Sequence, residues 1–135
     1  MHSFLHRVQF YETDLMGIVH HSNYLRFFEE ARVAWAHSHG FIDYQKPQSA
    51  SHFAVLETRV KHLKPARFGD LLEVEVRARN QGVRVIFQYR LWNNGEIVSV
   101  AETMHVALDS ELKPMRLTKP LLAQLEKEVW TEIWL

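Results

Sequence analysis

The 135-residue chain is predicted to fold as one α+β domain, and three patterns carry that expectation. One stretch, roughly 22–39, repeats aromatic and small apolar residues at three- and four-residue steps, the period of a helix face. Several later stretches alternate apolar with polar residues, the period of a strand with one dry and one wet side. Between two of these stands Asn93-Asn94-Gly95, and Asn-Gly accepts the positive φ of a type I′ hairpin turn. A strand, one long aromatic helix and four further antiparallel strands make an α+β domain.

In chain order, residues 4–11 are expected as the first strand, with Val8 and Phe10 alternating with Arg7 and Gln9. A short loop carrying Asp14 and Gly17 follows, and the helix opens near residues 21–23. Ser22 is the expected N-cap, since its hydroxyl can accept from an otherwise orphan N–H. Tyr24, Phe27, Phe28, Ala31, Ala34 and Trp35 form the apolar stripe, widened by Leu25, Val33 and Ala36. A helix of about 18 residues is roughly 27 Å long, and so broad an aromatic face needs a curved sheet against it. Gly40 is its stop, able to take positive φ cheaply. Residues 41–52, with Pro47 and small polar residues, read as a loop and a candidate flap over the site.

Residues 53–63 read as a long strand, ended by Pro65 and a turn at Gly69-Asp70. Leu72, Val74, Val76 and Ala78 then alternate with Glu73, Glu75, Arg77 and Arg79, one dry face and one wet. Asn80-Gln81-Gly82 turns the chain into a strand at 83–92, with Val83, Val85, Phe87, Tyr89 and Leu91 sharing a face. The strand expected at 96–108 has Val98, Val100, Met104, Val106 and Leu108 on one side. A connector at 109–117 holds Pro114 and Arg116, and 119–129 reads as a terminal helix through Leu121, Leu122 and Leu125. No repeat, linker or low-complexity tract divides the chain, so residues 1–135 are taken as a single domain.

Composition narrows the function classes. Apolar residues at 47% and charged ones at 24% are ordinary globular usage and argue against bulk disorder. Sixteen Lys and Arg balance sixteen Asp and Glu, so no broad nucleic-acid-binding surface is indicated, although a local basic pocket for one anionic ligand remains open. With no cysteine, disulfides, thiolate catalysis and thiolate metal sites are excluded. The opening MHSFLHRVQF lacks the apolar core of a signal peptide, and no run is long enough to span a bilayer. The expectation is a soluble, cytoplasmic protein. Of nine histidines, His20 and His21 are adjacent and point apart, and His37-x-His39 is not the spacing that puts two ligands on one helix face. No metal site is expected.

The chemistry gathers around residues 11–28, YETDLMGIVHHSNYLRFF. A carboxylate, Asp14, stands just before a loop that runs into a helix N-terminus, where unpaired backbone N–H groups and the helix dipole favour developing negative charge. That arrangement suits acyl transfer. By residue type alone, Asp14 reads first as a cap on the following loop, as Asp before a Gly turn often is.

The segment ETDLMGIVHHSNYLRFFEEAR resembles the signature of hotdog-fold acyl-CoA thioesterases of the 4-hydroxybenzoyl-CoA and YbgC-like group. Asp14, Gly17, Ile18, Val19, His21 and Tyr24 fall in register with it, and LKPARFGDLLEVEV is similar to a second marker of the same family. Glu12 replaces the first Asp of the usual pair, a tolerated change if the second acid is the working one. The resemblance implies a hotdog fold, a long central helix wrapped by a curved antiparallel sheet of about five strands. It also implies edge-to-edge pairing into a homodimer or homotetramer, with sites where one protomer's helix meets its partner.

It further implies hydrolysis of a short-chain or aromatic acyl-CoA to the free acid and coenzyme A. No cofactor is called for, because coenzyme A is part of the substrate. The implied catalytic residues are Asp14, as nucleophile or as base for water, and His21. The His21 N–H would polarise the carbonyl, and its imidazole would orient Asp14 or protonate the departing thiolate. His at this position is the YbgC-like choice, where the benzoyl-CoA type is aromatic. Gly17 is implied in a tight turn or a close approach by the ligand. Tyr24 is a candidate contact for the acyl group or a core residue, and Arg84 a cation for the coenzyme A phosphates. Lys61, Lys64, Arg67 and Arg116 are weaker candidates, each explained without function as part of a solvated face. Rival readings are a thioesterase for acyl carrier protein, a hotdog dehydratase and a non-catalytic acyl-CoA-binding protein.

Overall fold

The structure is a computed structural model describing residues 2–128 and 134–135. Five antiparallel strands form one sheet in the order β1-β3-β4-β5-β2: β1 (His2–Arg7), β2 (His52–His62), β3 (Leu71–Gln81), β4 (Arg84–Asn93) and β5 (Glu96–Leu108). The long helix α1 (Ser22–Ser38) lies across it, and a short helix α2 (Lys119–Lys127) closes one side. Val129, the expected end of α2, lies outside the described residues. This is the wrapped-helix arrangement that the resemblance implies.

The first strand is shorter than expected. It stops at Arg7, and Phe10–Glu12 form a 3-10 turn instead of extending it. The Glu12 carboxylate causes the change by accepting from the Gln9 N–H at 2.7 Å, a local bond that competes with the ladder. Ser22 does not cap α1; His21 is the residue before the first helical turn, and the Ser22 hydroxyl instead meets His20 Nδ1 at 2.8 Å. At the other end Gly40, at φ +80, takes the turn that stops the helix.

The core forms where α1 meets β3 and β4. Phe27, Phe28, Ala31 and Trp35 pack on Leu72, Val74 and Val76 and on Phe87, Tyr89 and Leu91, all buried. Phe28 stacks on Tyr89 at 4.9 Å and Trp35 meets Phe87 edge-on at 5.3 Å. Leu25, expected to widen the stripe, is exposed, as is Val83, which belongs to the β3–β4 turn. The β4–β5 hairpin turns on Asn94 and Gly95, both at positive φ, as the Asn-Gly signal requires.

Two strand faces differ from the alternation expected of them. In β5 the apolar set Val100, Met104, Val106 and Leu108 turns away from α1, and Ala101, Thr103, His105 and Ala107 face it. Register decides this: Tyr89 pairs with Ala101, Phe87 with Thr103 and Val85 with His105, and paired residues share a face. The rings on β4 fill the space under the helix, so small or polar neighbours fit beside them. Val98 alone of the expected set joins the core, next to the register shift at Leu91/Trp92. In β3, Glu75 and Arg77 are buried rather than wet. Arg90 pairs with Glu75 at 3.2 Å, the Trp92 indole donates to it, and Trp134 lies over Arg77 at 4.0 Å and over Arg90 at 4.1 Å. The outer face of the sheet is therefore roofed by a polar and aromatic network.

Candidate active site

Asp14 sits at the start of a tight loop that closes a miniature hairpin, with Thr13 bridged to Val19. Its N–H donates to Ile18 at 2.9 Å, its carbonyl accepts from Gly17 at 2.9 Å, and Oδ1 accepts from the Met16 N–H at 2.8 Å. The loop-cap reading is thus correct for one carboxylate oxygen. Among the described residues no hydrogen-bond donor meets the other, Oδ2. Gly17 earns its place by backbone conformation: its φ is +76, and a Cβ there would meet open space. It shapes the turn and is not part of the groove wall.

The loop is anchored from below by Glu12. Its carboxylate meets His6 Nε2 at 2.8 Å and the Gln9 N–H at 2.7 Å, and its carbonyl accepts from His20 N–H and from Asn23 Nδ2, both at 2.8 Å. Glu12 therefore ties the strand before the loop to the helix after it. Replacing it with Ala leaves the Gln9 N–H without its acceptor and the half-buried His6 with Glu30 alone, 3.4 Å from its Nδ1, and should destabilise the fold by about 2 kcal/mol. Urea unfolding of Glu12→Ala at pH 7 reads this directly.

Asp14 and His21 line the same open groove, of about 480 Å³, with Met16, Ile18, Val19 and Tyr24. The far wall is His62, Leu63, Lys64 and Pro65, from the end of β2 onward. The helix entrance faces this space. Ser22 N–H is taken by His20 Nδ1 at 3.2 Å, Asn23 N–H by the His20 carbonyl, and Tyr24 N–H by the His21 carbonyl. Among the described residues the His21 N–H has no acceptor, and it stands where the helix dipole is positive. The His21 ring lies against His20, centroids 4.2 Å apart and tilted by 31°, and no hydrogen bond joins it to Asp14.

Tyr24 is both wall and core. It is buried, packs on Phe27 at 5.8 Å and meets His62 edge-on at 4.7 Å. Burial raises its phenol above the ordinary value, opposed by a hydrogen bond with the Ala66 backbone. His62 is a groove residue that sequence reasoning passed over; burial lowers its imidazole, and the nearby His21 lowers it further. No local pattern marks a histidine at a strand end, and only the packing of β2 beside the helix entrance brings it here. Lys64 reaches Glu96 at 2.7 Å on the groove rim.

Arg84 is not brought to Asp14. It opens β4 opposite Val106, at the other end of the sheet from the pair His62–Ser99, and its side chain lies near Met104 on the face away from α1. Among the described residues no three His, Cys, Asp or Glu side chains cluster closely enough to hold a metal ion. No described helix is long and apolar enough to cross a membrane.

A family model described as the thioesterase superfamily matches residues 16–103. The acyl-CoA thioesterase YbgC of Haemophilus influenzae is 31% identical over 126 residues, spanning 90% of this chain and 91% of the relative. The crystal structure of a hypothetical protein from Aquifex aeolicus aligns with a TM-score of 0.83 at 33% identity, covering 91% of this chain and 98% of that one. Slr0204, a 1,4-dihydroxy-2-naphthoyl-CoA thioesterase from Synechocystis, aligns with a TM-score of 0.82 at 23% identity, covering 93% and 96%. The hotdog architecture is shared with these solved chains.

Proposed function

The chain belongs to the thioesterase superfamily, and from that membership we propose an acyl-CoA thioesterase that works through Asp14 and the entrance of α1. The observation that carries the assignment of roles is a carboxylate with one unengaged oxygen in the same groove as the unpaired His21 N–H. The thioester carbonyl oxygen points at that N–H, which stabilises the negative charge developing on it. Asp14 Oδ2 attacks the carbonyl carbon, or draws a proton from a water that does. The C–S bond then breaks and the thiolate takes up a proton to leave as coenzyme A. After direct attack a water hydrolyses the resulting acyl-Asp14 anhydride, and by either route the free acid is the other product. Hydrolysis of this kind asks for no cofactor beyond the coenzyme A of the substrate, and a cytoplasmic location belongs to the same proposal.

A second copy completes the site. Strand β2 is an 11-residue sheet edge along which Phe53 is 41%, Val55 50% and Leu56 50% exposed, a long apolar edge that a lone protomer would leave open to uncontrolled pairing. Phe10, Tyr11, Leu15 and Met16 add exposed apolar surface beside Asp14. Pairing β2 with a partner's β2 about a two-fold axis sets the start of one strand against the end of the other. The partner's Arg84 end then approaches the groove of Asp14, which supports Arg84 as a cation for the phosphates of a substrate held across the interface. Replacing Val55 and Leu56 with Glu and Lys should give monomers in sedimentation velocity, with thioesterase activity falling in step. Monomers that keep full activity would remove the partner from the site.

The central test is thiol release over a panel of short, long and aromatic CoA esters, with the same acyl groups on acyl carrier protein alongside. Turnover of at least one CoA ester is expected. Calorimetric binding of CoA esters with no thiol release from any would mean a binding protein, and turnover confined to the protein-bound esters would move the substrate class.

A further inference from the structure

A second cavity, of about 150 Å³, lies behind the C-terminal half of α1, away from Asp14. Val33, Trp35, Phe41, Val85, Phe87 and Leu121 give it apolar walls. Three of its polar lining residues, Ser51, Arg116 and Thr118, are exposed and belong to its outer side. His105 is different: it is 3% exposed and sits inside the sheet, on β5.

A chain of hydrogen bonds runs to that histidine. Arg32 Nη1 donates to the Tyr89 hydroxyl at 3.1 Å, the Tyr89 and Thr103 hydroxyls are 2.7 Å apart, and Thr103 Oγ1 lies 2.8 Å from His105 Nε2. Arginine only donates, which gives the chain a beginning. Tyr89 is fully buried, and among the described residues Thr103 Oγ1 is the acceptor within reach of its single proton. With Tyr89 donating to it, the Thr103 hydroxyl has its own proton left for His105 Nε2, an arrangement that favours the imidazole tautomer protonated on Nδ1. Burial and, next, the Arg32 cation lower the His105 pKa to about 4, which keeps the ring neutral at physiological pH. Among the described residues nothing accepts from Nδ1, and the ring is part of the cavity wall. An N–H that opens on an apolar cavity without a protein acceptor is available to a ligand that supplies one there.

We propose that this cavity takes the inner end of an acyl group and that the His105 Nδ1–H selects groups bearing an oxygen acceptor there, a hydroxyl or a carbonyl. The inference rests on the thioesterase reading above, with its β2 pairing that sets the cavity's Phe53 side against the partner's groove. A space of this size holds an apolar group about as large as a benzene ring, so the selected part is one ring or a chain of about six carbons. Recognition in an otherwise apolar enclosure discriminates strongly, because the analogue without the oxygen leaves the donor unpaired.

The test pairs substrates that differ only in that oxygen: phenylacetyl- against para-hydroxyphenylacetyl-CoA, and hexanoyl- against 5-oxohexanoyl-CoA. In the wild-type protein kcat/KM should favour the oxygenated member of at least one pair by about tenfold. His105→Leu should bring that ratio close to one, and His105→Asn, which can return an N–H near the Nδ1 position, should recover most of it. A ratio that His105→Leu leaves unchanged overturns the proposal. Nitrogen-15 NMR of the unaltered protein covers the case in which the variants do not fold. A neutral Nδ1–H tautomer at pH 7, perturbed by para-hydroxyphenylacetate and not by phenylacetate, is expected, and an Nε2–H tautomer overturns the assignment. These spectra need no turnover. Selective acid binding without hydrolysis would sink the thioesterase reading alone, whereas hydrolysis without His105-dependent preference would sink this one alone.

Discussion

Asp14→Asn should lower kcat on the best CoA ester by about a thousandfold, within the range usual for removing a general base or carboxylate nucleophile. The substitution is selective because the two carboxylate oxygens have different tasks. Oδ1 accepts from the Met16 N–H and holds the turn, and an asparagine carbonyl oxygen keeps that bond. The other oxygen becomes an NH₂, which can neither attack a thioester nor take a proton from water. KM and the melting temperature should therefore change little, and the loss should appear in kcat. Asp14→Ala is the informative companion, since it removes the turn bond as well and should also cost stability. An Asn variant with more than a tenth of the parent kcat would transfer the chemistry to another group in the groove, with His62 the first to examine.

Acid should destabilise the fold in a window set by His105. The folded chain holds this imidazole neutral down to about pH 4, because burial and, second, the Arg32 cation oppose a charge there. Arg116 lines the same cavity, and Glu29 partly offsets Arg32 across 3.6 Å. The unfolded chain takes the proton near pH 6.5. Between these values the unfolded state binds more protons, so stability is lost as pH falls from about 6.5 to about 4, by up to roughly 3 kcal/mol, and above that window His105 contributes no pH dependence. His2 and His62 are also lowered, burial leading in both, and act with the same sign. Urea unfolding at pH 7.5 and 4.5 measures the drop. In His105→Leu the drop should shrink by most of the His105 share, and an unchanged drop would place the acid sensitivity elsewhere.

Much of the fold was legible because its signals are local. The helix stripe, the Gly40 stop, the Asn94-Gly95 turn and the dry face of β3 each depend on residues within a few positions of one another. Their observed bounds differ by a residue or two from those expected. The errors arose where distant partners compete with local pattern. A strand ending at residue 11 is reasonable by period, but the Glu12 carboxylate captures the Gln9 N–H and bends the chain at Phe10. The apolar side of β5 looked like its core side until pairing with the ring-bearing strand β4 turned the small residues inward. Of the residues expected at the site, Asp14, His21 and Tyr24 share one groove, Gly17 shapes the turn beneath it, and Arg84 lies at the other end of the sheet.

The order of residues by itself determined the α+β class, the long aromatic helix and the placing of one acid just before a helix entrance, since each is written in spacing along a single stretch. Only the folded arrangement decided that His62 joins that entrance, that Arg84 does not within one protomer, and that Arg32, Tyr89, Thr103 and His105 form one hydrogen-bonded chain. Those groups lie as many as 73 positions apart. Nothing in the spacing of such distant residues fixes which of them meet, because strand register and helix packing set those distances after the local elements have formed.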